Sequence, residues 1–127
     1  DYEIGDKVLR ALGNLLTKTL RTSDIIVRLE AEEFLIALPN IHNEENAIMV
    51  SQKIIEEFSK CEVVVNEQTK QTLKKSVCVG ITIYPDDCHN EDELLKNTDI
   101  SLYEARNIGR SSYFKYSKED TSTIELF

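Results

Sequence analysis

At 127 residues the chain has the length of one domain with a sizeable core. Its 23 acidic and 15 basic residues leave a net charge of −8, and without a lysine/arginine stripe this excludes a surface built to displace counterions from DNA or RNA. No apolar run approaches a membrane span and the first residues do not read as a signal peptide, so a cytoplasmic domain without membrane contact is expected.

The chain begins abruptly at Asp1 to Ile4. Val8, Leu9, Leu12, Leu15, Leu16 and Leu20 then recur every three or four residues, which predicts an amphipathic helix from about Gly5 to Arg21. Ile25-Ile26-Val27 and Phe34-Leu35-Ile36 are strand formers separated by Leu29 to Glu32, the pattern of a β-hairpin. Its tip is unusual. Tight hairpins favour glycine or asparagine where φ is positive, whereas this one carries Glu30-Ala31-Glu32-Glu33. Pro39 closes the second strand, because it cannot donate to a ladder. Asn43 is a suitable N-cap for a second helix marked by Ala47, Val50, Ile54 and Phe58, ending near Lys60.

Glu62 to Val65 reads as a strand and Asn66 to Lys70 as a turn. Val77, Val79, Ile81 and Ile83 alternate with smaller or polar residues, the period of a strand with one apolar face. After a loop at Tyr84 to Asp87, acids in the first turn and Gly109 as a stop bound a third helix over Glu91 to Asn107. Leu94, Leu95, Leu102 and Tyr103 are expected on its inner side. Ser112 to Tyr116 fits a last short strand, which gives a domain over residues 1–116 and a tail or linker over 117–127. Cys61, Cys78 and Cys88 are odd in number and lack metal-type spacing, so they read as reduced thiols. Cys88-His89 beside Asp86 and Asp87 reads as solvated loop before metal site. The element order predicts an α+β fold with helices on a mainly antiparallel sheet.

Five blocks, in order, then carry a resemblance. They are Gly5-Asp6-Lys7-Val8-Leu9, Arg21-x-x-Asp24, Arg28-Leu29-Glu30-Ala31-Glu32-Glu33-Phe34, Val79-Gly80-Ile81, and Asp99-Ile100-Ser101-Leu102-Tyr103-Glu104-Ala105-Arg106-Asn107-Ile108-Gly109-Arg110. Together they resemble the GGDEF domain of bacterial diguanylate cyclases over nearly the whole chain. The resemblance implies a fold like nucleotidyl cyclases and polymerase palms, with a ferredoxin-type βαββαβ core. The family also has a strand before the first long helix, bearing a metal-binding Asp and a guanine-contacting Asn. This sequence starts just after that position, with Asp1-Tyr2 where the family has Gly-His, so a fragment or a substitute strand is expected. An inner strand left out would strand backbone groups at about 1–3 kcal/mol each.

In active members of the family two domains meet as a homodimer, each bringing one GTP. Divalent Mg²⁺ holds the triphosphate while a 3′-hydroxyl attacks the α-phosphate to make cyclic di-GMP. The resemblance matches Glu32 to the metal-ligand carboxylate of the turn and Glu33 to the neighbouring acid of metal or hydroxyl activation. It matches Asp6 to an acceptor for the guanine edge, and Arg106 and Arg110 to the Lys and Arg that hold phosphates. Arg21 and Asp24 match an inhibitory-type cyclic di-GMP site, in which Arg reads the guanine O6/N7 edge and Asp accepts from its N–H groups. The bland reading of that pair is a helix end followed by a turn. The family's further arginine has no clear counterpart, Lys53 being the nearest basic residue of the second helix.

Glu30 and Ala31 stand where the family has two glycines beside the triphosphate, and this departure points away from a working cyclase. Three readings follow. The domain is a regulatory module that binds cyclic di-GMP or GTP, an active diguanylate cyclase, or a dimerising spacer that binds no nucleotide. Such domains often adjoin a sensor or an EAL phosphodiesterase domain.

Overall fold

The computed structural model describes residues 2–29 and 31–117, and the tail expected over 117–127 lies outside them except for Ser117. The chain forms two compact units, the first ending at Ser76 and the second starting at Val77.

The first unit runs α1 (Tyr2–Thr19), β1 (Ile25–Arg28), β2 (Phe34–Ala37), α2 (Glu44–Lys60), β3 (Val63–Asn66) and β4 (Gln71–Leu73). Helix α1 packs on α2 and on β3. Its Leu12 and Leu16 are buried, as are Ala47, Ile54, Ile55 and Phe58 of α2 and Val63 of β3. That is the leucine stripe doing what its spacing predicts. Helix α1 starts three residues before Gly5 and ends at Thr19, short of Arg21, because Arg21 turns out to belong to the turn that follows. Asn43 caps α2, its side chain accepting from the Asn46 N–H at 3.0 Å.

Strands β1 and β2 form the expected antiparallel hairpin, with Ile25 opposite Ala37 and Arg28 opposite Phe34. The Phe34 ring lies 3.8 Å from where a Cβ on Gly13 would be, so the hairpin rests its inner face on α1 at a position that carries no side chain. Strand β3 pairs antiparallel with β4, a strand not anticipated, through a turn in which the Asn66 side chain accepts from the Gln68 and Thr69 N–H groups.

The second unit is β5 (Val79–Ile81), α3 (Glu91–Ile108) and β6 (Tyr113–Lys115). The two strands are parallel, with Gly80 opposite Phe114, and α3 is the crossover that a parallel pair requires. Two differences from the expectation arise here. The strand expected over residues 77–83 is only three residues long, matching the length of its partner. Its own pairing is parallel, and with two of the three strand pairs among the described residues antiparallel, the pairing as a whole is mainly antiparallel as expected. Leu95 and Tyr103 are exposed, at 50% and 63%, while Asn97, Ser101 and Ala105 form the buried face of α3. The reason is close approach. A Cβ on Gly80 would stand 2.3 Å from the Leu102 nitrogen, so strand and helix backbones nearly touch and the inner face of α3 must be small.

Asn90 caps α3 by accepting from the Glu93 N–H, and the Glu93 carboxylate accepts from the His89 N–H, a reciprocal cap. The loop after β5 is tied down by Asp87, which accepts from the Ile83 N–H and from Lys115 at 2.9 Å each. Cys88 is buried there, and burial, followed by the charges of Asp87 and Glu93, pushes its thiol pKa up, which keeps it in the inert neutral form.

Candidate functional site

The hairpin tip follows from its residues. The Leu29 N–H donates to the Glu33 carbonyl at 2.9 Å and closes the turn. Ala31 sits at φ 62, in the left-handed region that a glycine occupies without cost. Glu30 lies outside the described residues. Glu32 is exposed and Glu33 half-buried, so both expected catalytic and metal carboxylates come to the tip side by side along the chain.

Among the described residues no three His, Cys, Asp or Glu side chains come close enough to hold a metal ion. Mg²⁺ commonly takes one or two carboxylates from a protein and completes its shell with phosphate and water. Glu32 and Glu33 therefore suit Mg²⁺ as the companion of a bound triphosphate, and not as an ion caged by the protein alone. That ion would neutralise phosphate charge.

Asp6, on α1, meets two arginines. Its Oδ2 accepts from Arg10 Nη2 at 3.1 Å, and its Oδ1 lies 3.9 Å from Arg28 Nη1 at the root of the tip. Sequence reasoning placed Asp6 but assigned neither arginine. The Asp6/Arg10 spacing of four on a helix was a legible signal. The Arg28 contact depends on tertiary structure and had none.

Arg21 and Asp24 come together closely. The Arg21 Nε and Nη2 groups donate to the Asp24 carboxylate, the latter at 2.8 Å, and the Arg21 backbone N–H donates to Asp24 Oδ2 at 2.8 Å. Arg21 Nη2 also donates to the Pro39 carbonyl at 2.9 Å, tying the entry of β1 to the exit of β2. The Asp24 side chain is 3% exposed and that of Arg21 54%. The hydrogen bonds from the Arg21 side chain hold the Asp24 carboxyl below its ordinary pKa, against the opposing pull of burial and with help from the Arg21 backbone N–H. The same pairing raises Arg21.

A carboxyl depressed on folding contributes stability above its unfolded pKa, about 4, and loses it as pH falls from there through the folded value. Wild-type protein is therefore expected to lose melting temperature on acidification below about pH 4 more steeply than Asp24→Asn, which starts lower at neutral pH. Parallel acid profiles in a thermal-denaturation series would remove Asp24 from the acid response.

Arg106 lies in the last turn of α3 and Arg110 two residues beyond its end, both exposed, within the second unit. The last turn of a helix favours such cations. No helix of the described residues is long and apolar enough to cross a membrane.

With this geometry in place, the family described as "Diguanylate cyclase, GGDEF domain" matches residues 2–112. The chain belongs to the GGDEF domain family. The GGDEF domain is similar to part of the cyclic di-GMP phosphodiesterase NbdA of Pseudomonas aeruginosa, at 25% identity over 93% of this chain and 14% of that protein. It is also similar to part of the probable diguanylate cyclase DgcE of Escherichia coli, at 29% identity over 95% of this chain and 11% of that protein. The GGDEF domain thus spans about a tenth to a seventh of these relatives. A solved structure of the GGDEF domain of TpbB (YfiN) from Pseudomonas aeruginosa superposes with a TM-score of 0.85 at 23% identity, covering 96% of this chain and 69% of that one. The α+β, cyclase-like fold expected from the sequence is the fold found.

Proposed function

We propose that this GGDEF domain is a guanine-nucleotide-binding regulatory module of a bacterial cyclic di-GMP signalling protein, and a poor diguanylate cyclase. The observation that carries the reading is Ala31 at φ 62, a side chain held where the family motif has a glycine, directly after Glu30. A methyl group and a carboxylate there oppose the close approach of a triphosphate to the turn. Asp6, Glu32 and Glu33 are then the remains of a GTP site with Mg²⁺ as its ion, while Arg106 and Arg110, by their match to the family pattern, are residues of the phosphate-holding type. The retained Glu32-Glu33 pair favours the second reading, residual Mg²⁺-dependent cyclase activity.

For regulation, Arg21 is the residue of choice. Both oxygens of Asp24 already accept from Arg21, so the carboxylate anchors the arginine while the exposed guanidinium offers donors to the O6/N7 edge of guanine in cyclic di-GMP. In this reading the domain works in the cytoplasm, residues 117–127 are a linker, and a neighbouring output domain such as an EAL phosphodiesterase receives the signal. Calorimetric titration with cyclic di-GMP tests it. Saturable binding is expected, lost in Arg21→Ala, while incubation with GTP and Mg²⁺ yields little cyclic di-GMP. Rapid product formation would establish the cyclase reading instead. Well-folded protein that gives no heat with either nucleotide would leave a spacer.

A further inference from the structure

We infer that Arg28 is a positioning residue that orients the Asp6 carboxylate for a purine edge and so sets the preference of the tip site for guanine. The inference rests on the proposed reading of Asp6 as a guanine acceptor. It adds a residue that this reading does not use.

The carboxylate of Asp6 meets one guanidinium at each oxygen, Arg10 along the helix at Oδ2 and Arg28 across from the hairpin at Oδ1. Only the Arg10 contact is a hydrogen bond, the 3.9 Å Arg28 contact being an ion pair, so of the four acceptor directions at least one on each oxygen remains for a ligand. Two N–H groups side by side, as on the N1/N2 edge of guanine, match that remainder. Arg10 reaches Asp6 from one turn away and holds it against the helix wherever the hairpin lies. Arg28 is different, because its place is set by β-pairing. It stands opposite Phe34, and Phe34 rests on the bare backbone of Gly13, two turns along α1 from Asp6. The hairpin is thus seated on α1 at an apolar point and a charged point along one helix face. The charged point is the root of the tip.

The consequence is specific. Loss of Arg28 lets the Asp6 carboxylate turn as a unit about its Cβ–Cγ bond, which weakens a ligand that needs both oxygens facing it at once. It weakens less a ligand that needs one oxygen or neither.

The test measures equilibrium binding of GTP, ITP and ATP, with Mg²⁺, to the wild type, Arg28→Ala, Arg28→Lys, Asp6→Asn and the Arg28→Ala/Asp6→Asn double variant. Arg28→Ala is expected to weaken GTP roughly two- to fivefold, the upper range of an exposed ion pair, and to narrow the GTP-over-ITP ratio by a similar factor. Arg28→Lys keeps the charge and restores most of that ratio. The double variant is no worse than Asp6→Asn, since both changes act through one carboxylate. Equal weakening of all three nucleotides would make Arg28 a general attractor of phosphate and overturn the inference, as would additive losses in the double variant. Wild type that binds GTP no better than ATP overturns the reading of Asp6 itself, an outcome visible before any variant is made.

Discussion

Gly80→Ala is expected to abolish folding of the second unit or to cost roughly 4 kcal/mol, the upper range for a point substitution. The added Cβ would lie 2.3 Å from the Leu102 nitrogen, 2.7 Å from its Cα and 2.7 Å from the Ser101 carbonyl carbon. These are backbone atoms in the middle of α3, so no rotamer change relieves the contact. The whole helix must move off β5, and with it the buried Ser101 and Ala105. Ser101 adds to the cost, because its hydroxyl donates to the Asn97 carbonyl inside the same packed face. Urea denaturation with separate probes of the two units checks this. A change under 1 kcal/mol in the second unit would mean that the helix and strand tolerate a wider spacing than their contact suggests.

The same close contact marks where sequence reasoning stopped. Periodicity located α3 well, but it put Leu95 and Tyr103 inside because large apolar residues ordinarily seek the core. The inner face is decided instead by what fits against Gly80, and Asn97, Ser101 and Ala105 recur every four residues without an apolar signal. Strand β4 was hidden for a related reason. Gln71-Thr72-Leu73 has no alternation to read, and it becomes a strand only because β3 offers it a ladder. Helix α1 was legible because its evidence is local, with Val8, Leu9, Leu12, Leu15 and Leu16 at helical spacing.

The site divides along the same line. Arg21 and Asp24 are three residues apart, and their bond is a local turn that the spacing allowed. The Asp24 burial that makes it an anchor could not be read from the chain. Asp6 and Arg28 belong to different elements, and they meet where the hairpin, with Phe34 against Gly13, packs on α1. Glycine thus matters twice in this domain by its presence, at Gly13 and Gly80, and once by its absence, at the hairpin tip.

The Glu30→Gly/Ala31→Gly variant is expected to form cyclic di-GMP from GTP and Mg²⁺ on the order of 10 to 10³ times faster than the wild type. A carboxylate about 4 Å from a phosphate costs about 1 kcal/mol in water and about 4 kcal/mol at an effective dielectric of 20. Alanine held at φ 62 costs about 1 kcal/mol more than glycine. The repulsion alone converts to about one to three powers of ten in rate, while the strain, present with or without nucleotide, falls mainly on stability. The two contributions separate experimentally. Ala31→Gly alone removes the backbone strain and is expected to raise stability by up to about 1 kcal/mol with a small gain in rate. Glu30→Gly alone removes the repulsion and carries most of the gain, and that gain shrinks as added salt screens the charge. Glu32→Gln in the double variant is expected to erase the activity if Glu32 supplies the metal ligand. A double variant that is more stable yet no faster would show that the turn does not limit the rate.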